Sequence, residues 1–142
     1  MATQSENQTF PSLEWCNTAL RAAPFHLWLD LEVVAVAENS LELRMPWRDE
    51  IVSNPKLGSV HGGVLASLID LAGFYALLVH QQPVAATATL SVDYHRAAVA
   101  GPLTVGARIV KAGHKLGTAE SLVRSTEGEL LAAGRGIYLM RK

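Results

Sequence analysis

The sequence predicts an α+β fold in which a curved, mainly antiparallel sheet wraps one long apolar helix. Three observations predict it. The run GGVLASLIDLAGFYALLV, Gly62 to Val79, is apolar on every side and carries Asp70 as its only charge. A helix of that kind must be enclosed, and one flat sheet face covers too little of it. Segments of alternating apolar and polar residues follow the run in close succession, separated by glycine-rich turns. The elements are also segregated, in the order helix, two strands, long helix, four strands, which favours α+β over α/β.

Composition bounds the rest. The chain has 142 residues, 49% hydrophobic and 18% charged, enough apolar mass for one packed domain spanning residues 1–142. Twelve Lys and Arg against thirteen Asp and Glu leave a net charge of −1, so no basic field invites nucleic acid or an anionic membrane surface. The single cysteine, Cys16, excludes an internal disulfide framework and a multi-cysteine zinc site. The first ten residues show no basic stretch followed by an apolar one, so the expectation is a cytoplasmic protein. The apolar run is long enough to approach a membrane span. An Asp at mid-span would cost about 2.5–3.5 kcal/mol, and no Lys or Arg flanks the run closely, so it reads as a buried central helix.

Each element follows from local pattern. Residues 1–10 are polar and expected to be flexible. Ser12 caps an expected helix over Leu13 to Ala22, with Trp15 and Leu20 on roughly one side and Pro24 as its stop. Leu31 to Ala37 and Leu41 to Met45 alternate around Glu38-Asn39-Ser40 and read as a hairpin. Pro46 to Val60 is polar and turn-rich, the best candidate for a functional loop. After Pro83, strands are expected over Thr87 to Arg96, with Leu90, Val92 and Tyr94 on one face, then Leu103 to Val110, Thr118 to Ser125 and Leu130 to Met140.

Several chemistries lack their signatures: there is no G-x-S-x-G elbow, no P-loop and no H-E-x-x-H. Gly134-Arg135-Gly136 lacks a third glycine and a following helix, which argues against dinucleotide binding. The five histidines (His26, His61, His80, His95, His114) never sit at i, i+4 spacing, so no metal site is expected. What remains is His61-Gly62-Gly63 opening the apolar helix, with Asp70 inside it. Gly62 and Gly63 let a ligand approach the backbone, and the first N–H groups of a helix lack intrahelical partners, so they can hold a developing oxyanion. The same glycines would also serve close packing of helix on sheet. A carboxylate in apolar surroundings loses solvation and becomes a better proton acceptor, whereas a structural Asp would be satisfied by neighbouring donors.

Gly62 and Asp70 are eight residues apart, about 12 Å along one helix. A base and an oxyanion donor must both reach one reacting carbon, which one helix cannot arrange. Two copies packed antiparallel about a two-fold axis can, with Gly62 of one facing Asp70 of the other. An obligate dimer with two shared sites is therefore expected.

The stretch N-P-K-L-G-S-V-H-G-G-V-L-A-S-L-I-D-L-A-G, Asn54 to Gly73, resembles the PaaI-like acyl-CoA thioesterases of the hotdog fold. The resemblance continues through T-A-T-L-S-V-D-Y-H-R-A-A (Thr87 to Ala98), G-P-L, A-x-x-V-K-A-G-H-K and E-G-E-L-L-A-A-G-R-G, so it covers most of the chain from Leu31 onward. It implies a hotdog dimer with a continuous sheet, in many members a homotetramer. It also implies hydrolysis of an acyl-CoA thioester with no metal or covalent cofactor. Asp70 would activate water or attack as a nucleophile, the Gly62 N–H would polarise the carbonyl, and His61 would orient the loop or assist there. Asn54 and Thr87 match positions near the reacting centre, although Asn54 stands one residue early relative to some relatives. Arg96, Lys111, His114 and Lys115 match positions that often contact the nucleotide of coenzyme A, and are equally readable as solvated surface charge. Phe74 and Leu77 share the Asp70 face, as acyl-pocket lining or as core. A hotdog dehydratase or hydratase and a non-catalytic acyl-CoA sensor remain alternatives, and aromatic and fatty acyl groups are both open.

Overall fold

The computed structural model describes residues 10–80 and 82–141, so the flexibility expected at the N-terminus lies mostly outside the described residues. Helix α1 (Leu13–Arg21) is capped by the Ser12 hydroxyl, which accepts from the Trp15 N–H at 3.1 Å. Its buried stripe is Cys16 and Leu20, one turn apart, and not Trp15, which is 51% exposed. At 100° per residue Trp15 points away from that stripe, which corrects the pairing expected from sequence. Pro24 does more than stop α1, because it opens a second short helix, α2 (Pro24–Trp28), at the position where proline's missing N–H costs nothing.

Strands β1 (Glu32–Ala37) and β2 (Ser40–Met45) form the expected hairpin, with Asn39 in the left-handed region at φ 57°. Asn17 ties α1 to this hairpin, since its side chain donates to the Val33 carbonyl and accepts from the Val33 N–H at 2.7 Å. The turn-rich loop carries a 3-10 turn (Asp49–Ile51) and a minimal ribbon of β3 (Val52–Asn54) with β4 (Ser59–Val60). Then come α3 (Gly62–Val79) and strands β5 (Val84–Tyr94), β6 (Leu103–Ala112), β7 (Leu116–Arg124) and β8 (Leu130–Met140). The six long strands pair antiparallel in the order β1-β2-β6-β7-β8-β5.

Helix α3 lies across the sheet and touches β2, β5, β6, β7 and β8. It satisfies the length and composition of a membrane span, yet nine of its eighteen residues are buried within the chain. The other face is not fully covered. Ala66, Ser67, Asp70, Leu71, Phe74 and Leu78, spaced by three and four, remain partly open. The sequence leads one to expect a helix wrapped on all sides; a single chain wraps about half of it.

Tyr138 of β8 locks the helix to the sheet. Its ring is fully buried, meets Phe74 edge-on at 6.1 Å between centroids, and its hydroxyl donates to the Asp70 carbonyl at 2.9 Å. Burial, then the nearby Asp70 charge, holds that hydroxyl firmly in its protonated, donating form. A Cβ added at Gly73 on the helix or Gly136 on the strand would overlap the Tyr138 hydroxyl. Gly73→Ala should therefore lower stability by roughly 1–3 kcal/mol through overpacking. In urea unfolding its midpoint should fall, and the loss should shrink when Tyr138→Phe removes the hydroxyl. An unchanged midpoint for Gly73→Ala would refute the contact.

Candidate functional site

The start of α3 is built by the loop before it. His61 is the N-cap, with an extended backbone and its Nδ1 accepting from the Gly63 N–H at 2.8 Å. That bond occupies one of the free N–H groups of the first turn. The Gly62 N–H has no partner among the described residues, so of the two glycines it is Gly62 that keeps a donor available. Val60 and His61 are in turn anchored to the Ala98 and Ile51 carbonyls at 2.8 Å each, so the loop holds the helix start from two sides.

A residue that the sequence reading placed only on a strand face completes this end. Tyr94, at the end of β5, donates its hydroxyl to the Gly62 carbonyl at 2.8 Å. Its ring comes within 3.2 Å of where a Cβ at position 62 would stand. A side chain at position 62 would press on this ring, which would have to give by a few tenths of an ångström. Gly62, Leu65, Tyr94 and Arg96 line a groove of about 280 Å³ at this helix terminus.

Asp70 sits two turns further on, in the middle of the open stripe, and is partly exposed in one chain. The deep burial expected from the apolar helix is absent here, because the sheet covers only the opposite face. Its Oδ1 accepts the Thr87 hydroxyl of β5 at 2.7 Å, while Oδ2 has no hydrogen-bond partner among the described residues. Asp70 and Thr87 are therefore brought together as the resemblance implies. Phe74 lies one turn beyond on the same stripe, half-buried. Leu77 is core, packed with Val84, Ala119, Tyr138 and Met140.

The remaining candidates are placed apart. The Asn54 side chain accepts from the Lys56 N–H at 3.1 Å and closes its own turn, so it is engaged in loop structure. That loop instead borders a shallow groove of about 650 Å³ with Trp47, Pro55, Leu57 and Val99 on its walls. Arg96 lies just past β5 and pairs with Glu129 at 2.7 Å in an exposed bridge. Lys111, His114 and Lys115 are exposed on the β6–β7 hairpin. The register puts these at opposite ends of the sheet: Tyr94 faces Ala132 at one end of β8, and Leu116 faces Leu139 at the other. One chain does not assemble the four cations into one site. Cys16 is fully enclosed, and burial pushes its thiol up from its usual range, which disfavours a nucleophilic thiolate.

An antiparallel sheet behind one long central helix is the hotdog fold. The thioesterase superfamily profile matches residues 57–132, just over half of the chain. A candidate esterase of Halobacterium salinarum is 34% identical over 122 residues, 78% of this chain and 80% of that protein. A crystal structure of a thioesterase-superfamily protein superposes with a TM-score of 0.86 at 38% identity, over 91% of this chain and 98% of that one. The fold is also shared with E. coli PaaI, from the phenylacetic acid degradation operon (TM-score 0.73, 23% identity, 89% and 92% covered). It is shared too with a Streptococcus mutans protein solved with acetyl-CoA bound (TM-score 0.71, 18% identity, 78% and 88% covered). The chain belongs to the thioesterase superfamily, a class that points to thioester hydrolysis.

The capping bond gives the site its own stability test. His61→Ala should cost about 0.5–2 kcal/mol, the usual effect of deleting an N-cap side chain, whereas His61→Asn should recover most of it. Equal melting temperatures for His61→Ala and the parent would show that the cap carries no weight.

Proposed function

We propose that this chain hydrolyses acyl-CoA thioesters at two equivalent sites shared by a pair of subunits. The observation that carries the reading is the pairing of a helix-start N–H left free at Gly62 with a half-open carboxylate at Asp70, oriented by Thr87. The two lie about 12 Å apart on one helix, too far for one carbonyl carbon. The open stripe that centres on Asp70 fits a second α3 running antiparallel, which brings the partner's glycine to this carboxylate. Superfamily membership supports the reaction class.

Strand β5 supplies the means of pairing. It is the last strand in the sheet order, hydrogen-bonded to β8 on one side only among the described residues. An eleven-residue edge of small and β-branched side chains is a template for another strand. Antiparallel pairing of two β5 strands about a two-fold makes one continuous sheet. It also reverses the partner end for end, so the Arg96 end of one copy meets the β6–β7 hairpin end of the other. Arg96, Lys111, His114 and Lys115, separated within one chain, then gather around the phosphates of coenzyme A. The exposed Arg96–Glu129 bridge is worth at most about 1 kcal/mol and yields readily to a phosphate. The acetyl-CoA held by the Streptococcus mutans fold neighbour is consistent with that ligand class.

In the reaction, the thioester carbonyl accepts the Gly62 N–H, whose dipole-aligned position stabilises the oxyanion. Asp70 on the facing helix activates water or attacks the carbonyl carbon, with Thr87 fixing its rotamer. Phe74 offers an apolar wall to the acyl group. Collapse of the oxyanion breaks the C–S bond and coenzyme A departs as the thiolate, a leaving group stable enough to need no metal. After attack by water the free acid is released directly. After attack by Asp70 a second step, water cleaving the acyl-Asp70 anhydride, releases it and restores the carboxylate.

Release of free thiol from a panel of acyl-CoA substrates tests the reading. Asp70→Asn should lower kcat by at least about 10²–10⁴-fold with KM little changed and the melting temperature held or raised. A kcat within threefold of the parent would end the Asp70 mechanism. Light scattering at micromolar concentration should report a dimer or a dimer of dimers, and a fully active monomer would overturn the shared site.

A further inference from the structure

We infer that Tyr94 and Tyr138 are a matched pair of positioning residues that set the two reacting groups of α3 in register with the sheet. The inference rests on the proposed hydrolysis and extends it to side chains that need not touch substrate. Each tyrosine hydroxyl donates to a backbone carbonyl of α3. The two carbonyls are those of Gly62 and Asp70, at 2.8 and 2.9 Å, the residues that carry the oxyanion donor and the carboxylate. Carbonyls inside a helix already accept from the N–H four residues on, so an extra donor at these two positions is not required to complete the helix. Both donors come from the sheet, Tyr94 at the end of β5 and Tyr138 on β8, so the helix is pinned at two points eight residues apart. Two pins fix both its translation along the sheet and its rotation about its own axis.

Glycines make each pin a close one. The Tyr94 ring comes within 3.2 Å of where a Cβ at Gly62 would stand, and the Tyr138 hydroxyl fills the space above Gly73 and Gly136. The two contacts differ in burial: Tyr138 is fully enclosed, while Tyr94 is 55% exposed. An exposed ring contributes little to core packing, so the Tyr94 bond is the one whose loss leaves the fold intact and the geometry loosened. The site needs that geometry, because each half of it comes from a different subunit. An error in the rotation of one helix is doubled when two copies meet about a two-fold, and misplacement of a reacting group by about 1 Å costs up to about a hundredfold in rate.

Tyr94→Phe, Tyr138→Phe and Asp70→Asn are compared with the parent on one acyl-CoA substrate, with kcat, KM and melting temperature measured on the same preparations. The inference expects Tyr94→Phe to lower kcat by about tenfold with KM within twofold and melting within about 3 °C of the parent. Tyr138→Phe should lower kcat in the same way, and if it fails to fold the exposed Tyr94→Phe still decides. Should the parent turn over and Asp70→Asn be inactive while Tyr94→Phe keeps kcat within twofold, the pinning role is overturned and the hydrolytic reading stands. A raised KM at unchanged kcat would make Tyr94 a substrate contact and likewise overturn it. Loss of kcat only in proportion to lost folded protein would reduce it to a stability effect. A parent that hydrolyses no acyl-CoA removes both the reaction and the inference built on it.

Discussion

Covering helix α3 is the constraint on which the rest of the structure depends. Eighteen residues with one charge cannot face water, and the chain answers with five strands laid against one side of the helix. Burial of Leu65, Leu68, Ile69, Ala72, Ala76 and Val79 supplies much of the hydrophobic core, at about 25 cal/mol per Å² of apolar surface removed. The opposite stripe, with Leu71, Phe74 and Leu78 around Asp70, stays partly open. Stability and site thus come from the two faces of a single element. The face that holds the fold is buried against the sheet, and the face that holds the carboxylate is partly open.

Helix geometry then governs the proposed chemistry. A rise of 1.5 Å per residue separates the free N–H at Gly62 from the carboxylate at Asp70, and no side-chain rotation can close that gap. In the proposed site the loop before α3 presents the glycine: His61 takes the Gly63 N–H, and that of Gly62 has no partner among the described residues. In the same proposal the strand beside α3 orients the acid, through the Thr87 hydroxyl that donates to Asp70 from β5. Both duties fall on residues next to the open sheet edge. The elements that shape the site are therefore also those a second copy would meet.

The fold was legible in sequence because its signals are periodic. The bounds of α3 and β8 coincide with the expected ones, since Gly62-Gly63 and Glu127-Gly128 punctuate apolar patterns on either side. Short elements were less legible. Helix α2 was hidden because Pro24 reads equally as a stop and as a start, and the β3–β4 ribbon because a polar loop of that length carries no period. At the site, His61, Gly62, Thr87 and Asp70 were marked by chemistry and resemblance, and Asp70 and Thr87 do meet. Tyr94 was read only as a strand face and Tyr138 not at all, because their roles come from long-range contacts. The available hint was local: Gly136 stands two residues before Tyr138, so both face the same side of β8, and a missing side chain beside a large ring implies a ring that leans across. Asn54 shows the reverse case, a polar residue attractive for chemistry that the backbone of its own turn has already claimed.

The strand order has a temporal side. Strand β2 pairs with β6, so Ser40 meets Arg108 and Met45 meets Leu103 across the whole length of α3. During synthesis the β1–β2 hairpin and the apolar helix emerge before the strand that joins them to the rest of the sheet exists. At roughly 5–20 residues per second, the 24 residues from Val79 to Leu103 take about 1–5 seconds, and nascent α3 spends that interval without β6. Contacts this distant in sequence also form late once the chain is free, because loop closure must precede any reward from pairing. The most apolar segment of the protein is thus made with only β2 before it, and its remaining cover, β5 to β8, all follows, so its exposure is greatest while the chain is still growing.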